Sequence, residues 1–412
     1  MPRLRSDTEF RKLWLGQSVS EIGSWVSTTA LPITAVVLLG ATPAQMGILS
    51  AVAGGSTLLV GLFAGVLADR MFRRPVLIWS DIARALLLAT IPLAATFQLL
   101  TYAQLLAISA ATGVITVFFN VAYQSYLPAL IAESDLPEGN RLLGMSSAAA
   151  EVIGPLLAGI LIKIVTPPIA ILLDAASFVV SAASVAAIHR AEPPRVPRQQ
   201  IRFIEEALAG AIAIRANPLL SVLALRSITA CFFGGMIYAL YILYAVRNLR
   251  MSTAALGLTI ALGGVGSIAG SYYAERIAIR LGIRRAFFVS ALSSGLLTLL
   301  IPLSTLYPSS AVMLLCIAQL FGDAAASVYI TNKLTFQQRV TSGDVLGRVN
   351  AAMQIASQGM VPLGALAGGF LASAFGIPAT LWVSAGGIAA SCLWLLVPHH
   401  ARPQLSTLQQ PN

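Results

Sequence analysis

The chain has 412 residues, 57% of them hydrophobic and 10% charged, with a net charge of +10. A mean hydropathy of +0.82 is more than a water-soluble core of this size can bury, so much of the apolar surface must face lipid. That excludes a soluble enzyme, and the placement of the positive charge, taken up below, argues against a nucleic-acid surface.

About 20 apolar residues are needed to cross roughly 30 Å of hydrocarbon. The chain offers twelve such runs, at about 13–39, 44–68, 75–98, 101–127, 142–165, 167–188, 217–246, 253–275, 284–304, 308–334, 345–373 and 377–397. The first is too long for a secretory h-region and has no small-residue cleavage site, so it is expected to stay as a span. Twelve helices are predicted, because a backbone facing lipid must satisfy its own hydrogen bonds.

Taken in order, the first span carries Gln17, Glu21 and Trp25 at helical spacing. Glu21 lies nine residues past Lys12, on the order of 13 Å along a helix. Between the second and third spans stands GVLADRMFRRPVLIWSDIARALLL, with Asp69, Arg70, Arg73, Arg74, Asp81 and Arg84. Asp81 and Arg84 are three apart, so they share a helix face and can pair. The fourth span has no charge but offers Asn120 and Tyr123. The fifth holds Glu151 and the stretch GPLLAG with Gly154, Pro155 and Gly159, and the sixth holds Asp174.

Residues 191–216 form a Pro- and charge-rich linker ending in a short surface helix. They divide an N-terminal half, 1–190, from a C-terminal half, 217–398, with a tail at 399–412. The seventh span carries Arg226 and a tyrosine series, Tyr238, Tyr241 and Tyr244. The turn after the eighth, with Glu275, Arg276, Arg284 and Arg285, echoes the charges after the second. Asp323 lies in the tenth span, and Gln354 and Gln358 lie in the eleventh.

Of the 26 Lys and Arg, 21 fall on the side of the N-terminus, three on the other, and Arg84 and Arg226 within spans. That bias predicts both termini in the cytoplasm; the positive charge is therefore a topology signal. Intramembrane ions are functional candidates by default: Glu21, Glu151, Arg226, Asp174 and Asp323 for proton coupling or substrate contact, with Glu21 and Glu151 first for protonation. Gln17, Trp25, Asn120, Tyr123, Tyr238, Gln354 and Gln358 are candidates for an amphiphilic cavity. Cys231, Cys316 and Cys392 each stand alone, and neither they nor the three His suggest a metal site.

Gly65, Asp69, Arg70, Arg73 and Arg74 match, in register, the G-x-x-x-D-R-x-G-R-[RK] loop of the major facilitator superfamily, with Phe72 in place of its glycine. GPLLAG resembles the fifth-helix motif of that family's exporters. FRKLWLGQSVSEIGSWVSTTALP, LPALIAESDLPEGNRLLG and LTFQQRVTSGDVLGRVNAA resemble the branch of enterobactin and macrolide exporters. The resemblance implies an all-α integral membrane fold of two six-helix pseudo-repeats that rock about a central site. It also implies that Asp69 meets the start of the eleventh helix, joining the halves at the cytoplasmic face in one state and releasing them in the other.

No G-x-x-x-x-G-K-[ST] loop and no catalytic triad occur, so no enzyme activity and no cofactor are expected. The reading is a monomeric secondary transporter of a bacterial inner membrane, exporting an amphiphilic small molecule, drug or siderophore-like, by proton antiport. A nutrient importer or facilitator of the same fold, and a membrane receptor that moves nothing, are the alternatives.

Overall fold

A computed structural model describes residues 3–68, 72–190, 192, 203–341 and 343–397, and every regular element among them is helical. The first group is α1 (Thr8–Val37), α2 (Pro43–Ala68), α3 (Arg73–Thr96), α4 (Tyr102–Leu130), α5 (Leu136–Ile164) and α6 (Pro167–Ala186). A short α7 (Phe203–Ala216) follows. The second group is α8 (Pro218–Leu243), α9 (Thr253–Leu281), α10 (Ile283–Thr298), α11 (Ala311–Val340), α12 (Gly343–Gln358), α13 (Met360–Phe375) and α14 (Ile377–Ala390). Gly359 between α12 and α13 keeps helical dihedrals, so those two make one rod. The described residues thus contain twelve rods beside α7.

Ten of the rods are long and apolar enough to cross a membrane by length and composition. Among those that miss the criterion, α1 is diluted by Gln17, Ser20, Glu21, Ser24, Ser27, Thr28 and Thr29. Its polar residues gather where the rod borders the interior cavities rather than lipid.

Local chemistry sets the ends. Asp7 accepts from the N–H groups of Glu9 and Phe10 at 2.9 and 3.2 Å, Thr101 from Gln104 at 3.2 Å, and Asn217 from Leu219 and Leu220 at 3.1 and 3.3 Å. Pro167 and Pro218 open their helices at positions that have no use for an N–H. Gly282 and Gly376, at φ +76° and +88°, make the single-residue joints before α10 and α14.

The N-terminus of α3 is capped from a distance. Phe72 occupies the cap position but has an apolar side chain, and Glu192, beyond α6, accepts from the N–H groups of Arg73 and Arg74 at 3.2 and 2.6 Å. Arg74 in turn donates to the carbonyls of Val185 and Ala186 at 3.2 and 2.6 Å, at the C-terminal end of α6. The two helices satisfy each other's free ends, anion on N-terminus and cation on C-terminus. Asp69 and Arg70 lie outside the described residues, as do residues 193–202 of the linker and the tail.

Within the first group α1 packs on α5 and α6, α3 on α4 and α6, and α2 on α4; in the second, α8 packs on α13 and α14, and α11 on α9 and α10. The groups meet through α5 against α9 and α2 against α13. Glycine permits both approaches. A Cβ at Gly159 would stand 2.5 Å from the Thr253 carbonyl, one at Gly257 2.4 Å from that of Pro155, and one at Gly47 2.6 Å from that of Ala365. Ala44 N–H donates to Ser373 Oγ, and Thr253 Oγ1 to the Gly159 carbonyl, each at 3.1 Å. All these contacts lie at the end of the bundle away from the termini. At the terminal end, Gly144, Gly343 and Gly347 have open space around them, and Met145 and Tyr272 are exposed. Among the described residues, the glycine-permitted contacts between the groups gather at the far end.

Candidate functional site

A cavity of about 550 Å³ lies between the two groups. The first group supplies Trp25, Ser24, Thr28, Thr112 and Thr116, and the second supplies Tyr238, Tyr241, Ile242, Ile260 and Gln319. The wall is mostly apolar with scattered hydroxyls, the character of a site for a small amphiphile.

One cation stands in this wall. Arg84, 5% exposed, pairs with fully buried Asp81 at 2.5 Å. Its guanidinium carbon lies 4.3 Å from the ring centroid of Phe119 and 4.1 Å from that of Phe178. One Nη reaches Thr116 Oγ1 at 3.5 Å. Stacking and the ion pair together hold the planar group rigid while part of it lines the cavity. Asp174 joins the cluster: it accepts from Ser177 Oγ at 3.2 Å and Ser24 Oγ at 3.5 Å, and it lies within charge range of Arg84, as does Glu21.

Across the cavity stands Asp323 on α11. Gly263 on α9 makes room for it, since a Cβ there would meet Asp323 Oδ2 at 2.4 Å. Glu151, on α5, lies within charge range of Asp323. These two carboxyls come from different groups, so any movement of one group against the other alters their separation.

A second chamber of about 340 Å³ opens within the first group, toward the terminal end. Gln17, Glu21, Tyr123, Gln124, Asn140 and Ser147 line it. Ser147 Oγ donates to Glu21 at 3.3 Å, and Gln17 Nε2 to Ser181 Oγ at 3.2 Å. Ser181 is itself beside Asp81, so a polar path runs from this chamber to the Asp81–Arg84 pair.

The structure therefore divides the sequence candidates. Trp25, Tyr238, Asp174 and Asp323 line the central cavity, and Gln17, Glu21 and Tyr123 line the second chamber. Glu151 approaches the cavity through Asp323. Asn120, Gln354 and Gln358 are exposed and border neither space. Tyr244, third in the tyrosine series, is fully buried and donates to the Ile301 carbonyl at 3.1 Å, which makes it a packing residue. Arg226 borders neither cavity and stacks on Tyr329 at 3.8 Å.

Glu275, Arg276, Arg284 and Arg285 are exposed around the α9–α10 turn, with Arg276 near the rings of Tyr272 and Tyr273. Gly154 packs on Trp25, where a Cβ would come within 2.3 Å of the Trp25 Cβ, and Pro155 and Gly159 form the far seal against α9. Two residues do more than the sequence pattern assigns to them. Arg84 reads there as half of a local ion pair, yet it also forms cavity wall. Lys333 counts there among the cytoplasmic-side cations at the end of the tenth span, and α11 continues past it to Val340. The apolar period on both sides of Lys333 was the available signal.

Comparison with known proteins agrees with this architecture. The model of the Major Facilitator Superfamily matches residues 13–340 and again 227–411. The Bacillus subtilis (strain 168) protein described as the uncharacterized MFS-type transporter YfiS is 24% identical over 409 residues, covering 96% of this chain and 93% of its own. The enterobactin exporter EntS of Shigella boydii is 26% identical over 356 residues, covering 84% and 81%. A bacterial homologue of the human lysosomal transporter Spinster, inward-facing and unoccupied, superposes with a TM-score of 0.70 at 15% identity over 95% of this chain and 96% of that one. A bacterial homologue of the iron transporter ferroportin, in an inward-facing state, gives 0.72 at 17% identity over 94% and 98%. With the family's model spanning most of its length and its twelve rods arranged around one central cavity, the chain belongs to the Major Facilitator Superfamily, as a multi-span secondary transporter.

Proposed function

We propose that the protein exports an amphiphilic small molecule from a bacterial cytoplasm, driven by proton antiport, with both termini cytoplasmic. The observation that carries this reading is the central cavity: its volume and mostly apolar wall suit a drug-sized amphiphile, and ionisable groups of both helical groups border it. The Lys and Arg bias orients the chain, so that the sealed end is periplasmic and the described state opens inward. Substrate enters from the cytoplasm, the halves rock, and the far seal at Gly159–Gly257 and Gly47–Gly369 parts. In that cycle Glu21, Asp174 and Asp323 load and release the protons. The similarity to the enterobactin exporter supports the outward direction.

Everted membrane vesicles test this with a fluorescent amphiphilic dye. Respiration should drive dye into the vesicles, and a protonophore should abolish the accumulation. Glu21→Gln and Asp323→Asn should each lower it by about tenfold or more while the protein still inserts, as expected when a proton-carrying group is removed. Accumulation that ignores the protonophore removes the antiport mechanism, and movement of dye only in the opposite direction removes export.

A further inference from the structure

The second helical group holds two cations side by side, Arg226 buried and Lys333 half-buried. Arg226, on α8, is 7% exposed, and its Nε is buried with no hydrogen-bond partner among the described residues. Lys333, on α11 one turn beyond Tyr329, donates to Ser227 Oγ at 3.2 Å. Arg226 and Lys333 lie within range of each other's charge, and the other titratable groups near them are Cys231, Cys392 and Tyr329. Among the described residues no carboxylate forms an ion pair with either.

Arg84 shows how the same chain treats a buried cation elsewhere, with a carboxylate at 2.5 Å. An intramembrane cation without a counter-ion is costly, and a like charge beside it adds repulsion. Lys333 is half-buried, while Arg226 and Ser227 are buried. Ser227, Cys231, Gly234 and Tyr238 follow one another along one face of α8. Gly234 and Tyr238 line the central cavity, and a Cβ at Gly234 would touch nothing within 4 Å. Ser227, with Lys333 on it, stands about 10 Å along the helix from Gly234, on the side of the open terminal end.

We infer that Arg226, Lys333 and Ser227 form an anion site between α8 and α11, about 10 Å along α8 from the cavity wall, which takes a carboxylate, sulfonate, phosphate or phenolate carried by an otherwise apolar molecule. A guanidinium fork beside a mobile ammonium suits an oxyanion with several acceptor oxygens. The inference rests on the export reading, in that the anionic amphiphile is the cargo arriving from the cytoplasm. An anionic lipid headgroup has the same chemistry and is the second source of such an oxyanion.

Loss of Arg226 would also remove the stack on Tyr329, so Lys333 carries the test. The full-length protein in detergent is titrated with 1-anilinonaphthalene-8-sulfonate and with its neutral relative N-phenyl-1-naphthylamine. Lys333→Gln should weaken sulfonate binding about tenfold, the loss expected for one charge-assisted hydrogen bond, and leave the neutral probe unchanged. Lys333→Arg should restore it. Equal loss of both probes, or loss of neither, overturns the site. Phosphatidylglycerol added to the wild-type titration separates the sources: competition that Lys333→Gln abolishes identifies a lipid headgroup, and its absence identifies the cargo. The binding test needs no transport. A protein that binds sulfonate through Lys333 but moves nothing in liposomes therefore refutes export and leaves the anion site standing.

Discussion

Asp81 and Arg84 are the ion pair on which the first helical group depends. Both are buried, and the guanidinium lies against Phe119 and Phe178 from two other helices. Removing one partner leaves an uncompensated charge in a site water reaches poorly, which costs about 3 kcal/mol or more. Asp81→Asn should therefore lower the thermal midpoint of the purified protein clearly, measured in detergent by tryptophan fluorescence. Arg84→Lys keeps the charge and the pair but loses the planar stack and the fork. It should fold with a midpoint close to wild type, while transport of the dye in everted vesicles falls by about tenfold. The three-residue spacing made the pair legible in the sequence. The aromatic partners were not, because Phe119 and Phe178 belong to helices that only tertiary packing brings to Arg84.

At the scale of elements, the α5–α9 contact shows how a motif becomes a hinge surface. GPLLAG is apolar and small, which by itself predicts close packing but names no partner. The partner is α9, with Gly159 and Gly257 facing each other so that a Cβ on either would strike a backbone carbonyl. Gly257→Leu should wedge this end apart and shift the population toward a state open at the far end. A cysteine placed at Thr28, on the cavity wall, should then react faster with a membrane-impermeant maleimide applied to intact cells. The α3 cap belongs to the same scale. Glu192 does the work that the apolar Phe72 cannot, and Glu192→Ala should cost about 1 kcal/mol of stability, as loss of an N-cap generally does, read from the same thermal midpoint. No local pattern shows this cap, since donor and acceptor are more than a hundred residues apart.

For the whole molecule the decisive feature is asymmetry between the two ends. Among the described residues the groups hold each other at the far end through Ala44 and Ser373 and through Thr253 and Gly159, while Gly144, Gly343 and Gly347 at the terminal end have open space around them. A transporter that works by rocking must break the far contacts in every cycle. The double variant Ala44→Cys, Ser373→Cys should cross-link under oxidising conditions, stop transport, and recover when the disulfide is reduced. Transport that continues at full rate in the cross-linked protein would show that the far seal does not open during turnover.

The sequence by itself determined the solvent this chain lives in, the number of rods, most of their ends to within about six residues and the family they resemble. Those follow from lengths of apolar run and from short motifs, which are local quantities. It also marked Glu21, Glu151, Arg226, Asp174 and Asp323 as intramembrane ions, with Glu21 and Glu151 first for protonation. Which of them share a space was decided only by tertiary structure. Glu21 went to a chamber inside the first group, Asp174 and Asp323 went to opposite walls of the central cavity, and Lys333, at the end of the tenth span, came to lie beside Arg226. The physical reason is that one span has a nearly uniform hydropathy around its circumference. Its periodicity therefore says little about which face meets protein and which meets lipid, and only packing against neighbouring rods assigns the faces.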